Sequence, residues 1–132
     1  AVRHCLKREC TEIHILGAEG SRNDQFLSSL EILFKYTPNV RLILWTPLER
    51  MEFILDNWKE NLPPGTILSL LPLFGGAQGV VTHGLEFSLD GHDLLPGKTP
   101  SGVSNLVISN PVSVTLKKGQ LLLVVQHTTN YS

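Results

Sequence analysis

The chain has 132 residues, 42% of them apolar and 17% charged, a globular composition that excludes intrinsic disorder and leaves room for one or two small domains. Its formal net charge of −1 provides no basic field, which excludes nucleic acid as an expected partner and requires any anionic ligand to be held by local groups. No apolar run approaches the roughly 20 residues of a membrane helix and no signal-type segment opens the sequence, so the expected location is the cytoplasm, without membrane attachment.

Residues 2–9 place Val2, Cys5 and Leu6 at helical spacing, and Cys5 and Cys10, the only cysteines, fall on different helix faces and are expected to be free thiols. The helical pattern already runs at Ala1 with no capping residue before it, and two parallel strands are too few for a stable layer, so further N-terminal sequence is expected. TEIHILGA, residues 11–18, has the look of a buried strand. From Arg22 to Tyr36 an apolar stripe at Phe26, Leu27, Leu30, Leu33 and Phe34 predicts a helix, and Val40–Trp45 predicts a second strand. A strand–helix–strand unit of this kind makes its strands parallel.

The connecting loop, residues 17–25, leads from a strand end to a helix N-terminus, where open α/β sheets place ligands and free backbone N–H groups attract phosphate. Arg22 adds a cation. The competing reading makes Ser21 the helix N-cap, with Asp24 in a partial capping box that offsets the helix dipole.

After Trp45 the character changes. The prolines of NLPPG, residues 61–65, suit neither helix nor central strand and suggest a linker, dividing the chain into residues 1–60 and 61–132. Beyond it, short apolar or alternating runs broken by Gly, Pro and Asn predict an all-β segment with Leu68, Leu70, Val80, Leu106, Ile108, Val114, Leu122 and Val124 in its core. VSVTLKKGQLLLVV reads as a hairpin, residues 92–100 as an exposed loop, and the Phe74–Gly76 stretch as a turn. Trp45 and Trp58 read as core or interface anchors. The five histidines have no metal-ligand spacing, so no metal site is expected; His83 either ends a strand or lines a pocket. Phe87 by pattern alone is a core aromatic, and Ser104–Asn105 a turn that supplies its own hydrogen bonds.

One ordered set of residues carries more information: Gly84, Leu85, Phe87, Leu89 and Asp90, then Gly102, Ser104 and Asn105, with SLLPL at Ser69–Leu73 before them. It resembles the thiamine-binding half of thiamine pyrophosphokinases. The first loop is similar to a second family signature through Gly17, Gly20, Arg22, Asp24 and Gln25, with Ser21 standing where the family has the second of two paired glycines.

The resemblance implies a partial parallel, Rossmann-like α/β layer followed by a jelly-roll-like β-sandwich. It implies transfer of pyrophosphate from ATP to the hydroxyl of thiamine, giving thiamine diphosphate and AMP. Arg22 is then expected to steady phosphate charge, and Asp24 and Gln25 to orient thiamine or its hydroxyl. Phe87 is expected to lie against the thiamine rings, a cation–π contact in which it replaces the Trp of some members, and Ser104 to hydrogen-bond the ligand beside Asn105. The family's Mg²⁺ is held by aspartates that precede the helix with which this sequence begins, so the 132 residues are expected to lack the metal ligands and to be inactive alone. A homodimer with shared active sites is expected. The alternative is a non-catalytic ligand-binding or assembly module of the same architecture, which the Ser21 and Phe87 departures accommodate.

Overall fold

A computed structural model of the chain describes residues 11–17, 22–98 and 102–127. The helix expected over residues 2–9, both cysteines, Gly20 and Ser21 lie outside the described residues. The chain divides into two compact units, Ala1–Phe53 and Ile54–Ser132.

In the first unit, strand β1 (Glu12–Leu16), helix α1 (Asn23–Tyr36) and strand β2 (Arg41–Trp45) follow the expected order. β1 and β2 are parallel, from Glu12 opposite Arg41 to Leu16 opposite Trp45. Strand β3 (Glu49–Ile54) then pairs antiparallel with β2. The helix forms because its stripe buries Leu30 and Leu33, and Phe34 meets Phe53 edge-on at 5.4 Å. Leu27, expected in that stripe, is 57% exposed. β1 is not the buried strand its composition suggests: Ile13 and Ile15 are half-buried and alternate with exposed Glu12, His14 and Leu16. Among the described residues β1 pairs on one side only, with β2, which accounts for this exposure.

Glu52 is buried in β3 and is compensated by a bidentate pair with Arg41, whose Nε and Nη2 donate to Oε1 and Oε2 at 2.8 and 2.9 Å. The Glu52 hydrogen bond raises the Arg41 pKa above its ordinary value, against the lowering effect of burial.

The second unit holds β4 (Asn57–Glu60), β5 (Ile67–Leu71), β6 (Ala77–His83), β7 (Asp90–Leu94), β8 (Asn105–Leu106), β9 (Val112–Thr115), β10 (Lys118–Gly119) and β11 (Leu121–Gln126). One antiparallel sheet runs β8–β5–β11 and the other β10–β6–β9–β4, with β7 also on β6. Both contribute to one core, which contains Leu68, Leu70, Leu121 and Leu123 from the first and Trp58, Val80, Val112 and Val114 from the second. The only helical element described here is the single 3-10 turn Leu73–Gly75.

Several expectations change. The chain divides before β4, because Asn57–Glu60 pairs residue for residue with Thr115–Val112 of β9. The 61–65 stretch is therefore a connection inside the second unit, where Asn110 holds Leu62 through Oδ1 to its N–H and Nδ2 to its carbonyl, both 2.9 Å. The expected hairpin does not form: β9 pairs with β4 and β6, whereas β11 pairs with β5. His92–Leu94 belongs to β7, and Leu94 is buried. Ile108 is 54% exposed, with Val107 buried in its place. In β11 the core-facing set is Leu121, Leu123 and Val125; Leu122 is buried outside that cluster and Val124 is half-buried. No helix among the described residues is long and apolar enough to cross a membrane.

Candidate functional site

β6 ends at exposed His83 and the chain turns at Gly84, whose φ is +85°. A Cβ there would lie 2.5 Å from the Ser109 carbonyl oxygen, so only glycine permits this approach. The Gly84 carbonyl in turn accepts from the Ile108 N–H at 2.8 Å. Leu85 is buried against the core and bridges Val107, while Leu89 packs on the core from the far end of the loop. Leu89 is fixed twice to Thr82: its N–H donates to Oγ1 at 2.8 Å, and its carbonyl accepts from the Thr82 N–H at 2.9 Å. Between these anchors Glu86, Phe87 and Ser88 are exposed.

Phe87 is thus not a core aromatic; it is 68% exposed. Its backbone is nevertheless held. The Phe87 N–H donates to Asn105 Oδ1 at 3.0 Å, and Asn105 Nδ2 donates to the Phe87 carbonyl at 2.7 Å. Asn105 Oδ1 also accepts from the Leu106 N–H at 2.9 Å, so the buried amide makes three bonds to backbone. Asn105 therefore holds the backbone of Phe87 in place.

The turn before Asn105 lies on β5. Gly102 accepts from the Leu70 N–H at 2.9 Å, and a Cβ on Gly102 would stand 2.4 Å from the Leu70 oxygen. Ser104, exposed, has φ +56°, and its N–H donates to Ser69 Oγ at 2.9 Å. The fold thereby brings together Phe87, Ser104 and Asn105 from two motifs about 18 residues apart. The one sign of Ser69 in the sequence is its place in the SLLPL run.

In the first unit, the Gly17 N–H donates to the Trp45 carbonyl at 2.6 Å and closes the end of β1 onto β2. Arg22 occupies the N-cap position of α1, one residue beyond the expected Ser21, and makes no side-chain capping bond. Asp24 lies in the first turn, with Oδ1 3.0 Å from the Gln25 N–H and 3.4 Å from Arg22 Nε. The Arg22 and Asp24 side chains are 74% and 71% exposed, so the first helical turn presents a cation, a carboxylate and the Gln25 amide to solvent. An anion there meets Arg22 and the positive end of the helix dipole. Among the described residues, no three His, Cys, Asp or Glu side chains gather to hold a metal.

Described residues that are largely β and begin with a strand–helix–strand element, with a clipped aromatic loop in the second unit, define a recognisable class. The family described as thiamin pyrophosphokinase, vitamin B1 binding domain, matches residues 56–121. The chain belongs to the thiamin pyrophosphokinase family. Its fold is similar to that of thiamine pyrophosphokinase from Bacillus subtilis, with a TM-score of 0.86 at 20% identity over 97% of this chain and 61% of that one. The enzyme from Geobacillus thermodenitrificans gives 0.85 at 16% identity, covering 98% and 60%. Yeast thiamin pyrophosphokinase gives 0.70 at 21%, covering 86% and 39%. The chain thus spans about 61% of the length of the first of these proteins. No curated protein matches it by sequence.

Proposed function

We propose that this chain supplies the thiamine-binding side of a thiamine pyrophosphokinase, which transfers pyrophosphate from ATP to the hydroxyl of thiamine and releases AMP. The observation that carries the reading is the joining of the two motifs: Asn105 grips the backbone of Phe87 and leaves its ring exposed next to the Ser104 turn. An exposed aromatic face suits the cationic ring of thiamine, an attraction worth about 0.5 to 2 kcal/mol. Ser104 offers a hydroxyl to the ligand's polar edge.

In the Rossmann-like first unit, Arg22 steadies phosphate charge, and Asp24 and Gln25 orient the attacking hydroxyl. The second unit is the jelly-roll-like thiamine-binding domain. Members of the family use ATP with Mg²⁺, which neutralises phosphate oxygens when bound. The described residues do not fit a magnesium site, having no carboxylate cluster, and no step here runs through the ion. The working assembly is a homodimer whose active sites draw on both subunits.

Calorimetric titration of the full-length protein with thiamine, beside a turnover assay with ATP and Mg²⁺, tests the reading. Thiamine binding with production of thiamine diphosphate is expected. Binding without turnover supports a ligand-binding module instead, and a folded protein that binds no thiamine overturns the proposal.

A further inference from the structure

We propose that Ser69 is a positioning residue for thiamine recognition, acting through Ser104; this rests on the functional reading above. Ser104 carries a Cβ yet adopts φ +56°, a left-handed conformation that residues other than Gly, Asn and Asp seldom take. Something outside the turn has to hold it there. Its N–H donates to Ser69 Oγ at 2.9 Å, a contact across 35 positions of sequence.

β5 places that hydroxyl by strand alternation. Leu68 and Leu70 point into the core, so Ser69 points to the opposite face, in register with Val124 of β11. The same strand holds the start of the turn, where Gly102 accepts from the Leu70 N–H and fits against the Leu70 carbonyl without room for a side chain. Successive residues of β5 therefore fix the two ends of Gly102–Ser104. With the backbone of Ser104 fixed at both sides, the direction of its Cα–Cβ bond is fixed, and with it the arc available to its hydroxyl. Removing the Ser69 acceptor exchanges this bond for one to water and releases Ser104 toward negative φ, which swings the hydroxyl away from the ligand.

The test is thiamine titration of the full-length protein and its Ser69→Ala, Ser69→Val, Ser69→Thr, Ser104→Ala and Ser69→Ala/Ser104→Ala variants, with amide hydrogen exchange at residue 104. Ser69→Ala and Ser69→Val are expected to weaken binding by about three- to tenfold, the range for one neutral hydrogen bond, and to speed exchange of the Ser104 amide. Ser69→Thr, which keeps the hydroxyl, is expected to bind like the wild type. In the Ser104→Ala background the Ser69→Ala change is expected to add nothing. If Ser69→Ala folds poorly, the Thr and Val variants, matched in shape, decide the matter. Wild-type affinity in the variants lacking the hydroxyl, or an equal loss in both Ser104 backgrounds, overturns the assignment. A folded wild type that binds no thiamine overturns the functional reading first, and the role of Ser69 with it.

Discussion

The side-chain amide of Asn105 does for Phe87 what a neighbouring strand would do, accepting from its N–H at 3.0 Å and donating to its carbonyl at 2.7 Å. Asn110 makes the same reciprocal pair with Leu62. An asparagine amide has the donor and acceptor spacing of a peptide group, so it can satisfy a backbone segment that leaves the ladder. The ring of Phe87 gains a fixed base without being buried.

Replacing Asn105 with alanine is expected to lower stability by about 2 to 3 kcal/mol, because a three-bond amide is removed and backbone groups lose partners. Thiamine affinity should fall with it. Asn105→Asp keeps the acceptor, loses the donor and should lie between. Denaturant midpoints alongside thiamine titrations check this; lost binding at full stability would instead make Asn105 a direct ligand contact.

Phe87→Ala separates binding from folding in the opposite sense. With its side chain largely in solvent, its removal should change stability by no more than about 0.5 kcal/mol. Thiamine affinity should drop by about 0.5 to 2 kcal/mol, and Phe87→Trp should raise it, since the larger ring is the better cation partner. Calorimetry on the two variants reads both effects, and unchanged affinity in Phe87→Ala would remove the ring from the site.

For Asp24→Ala the structure sharpens the expected contrast. The carboxylate is exposed and its one hydrogen bond to helix backbone is to the adjacent Gln25 N–H, so the stability loss should be at most about 0.3 to 1 kcal/mol. If it orients the attacking hydroxyl, turnover should fall by at least ~10²-fold. Melting temperature and turnover measured on one sample decide between the roles. Retained turnover with lowered stability leaves Asp24 as a helix-end charge.

Gly102→Ala forces a Cβ against the Leu70 carbonyl, where 2.4 Å is far inside contact distance. Either the turn lifts from β5 or the strand bends. A loss of about 1 to 3 kcal/mol is expected, with weakened thiamine binding even where the protein stays folded. Equal stability and affinity to wild type would show that the turn tolerates a different seat.

The proposed shared active sites require that the full-length protein sediment as a dimer. Exposed Val103 and Ile108, close in sequence to the Ser104 turn, are apolar side chains of the kind that association covers. A well-folded monomer at high concentration in sedimentation velocity would break the shared-site model.

The helix α1 and its flanking strands were legible because a 3.6-residue stripe and two short apolar runs each favour one structure. LLLVVQ was not, since an unbroken apolar run contains no alternation to set its phase: Leu121, Leu123 and Val125 join the second unit's core cluster, the expected Leu122 is buried outside it, and the expected Val124 is half-buried. β3 was hidden by Glu52, a charge that is buried only because Arg41, eleven residues earlier, reaches it. At the candidate site the motifs identified Phe87, Ser104 and Asn105. They did not reveal that Asn105 faces backbone or that Ser69 touches Ser104, because such contacts across 18 and 35 positions leave no local pattern.

The loop that carries Phe87 is secured at Gly84, Leu85, Leu89 and the backbone of Phe87 itself, and none of those anchors uses the side chains of residues 86, 87 and 88. Three consecutive solvent-facing positions can therefore change chemical character while the loop keeps its path. On the proposed reading of this rim as the thiamine site, a change in which ring-bearing ligand is preferred needs only single substitutions, on a scaffold that does not have to be re-stabilised each time.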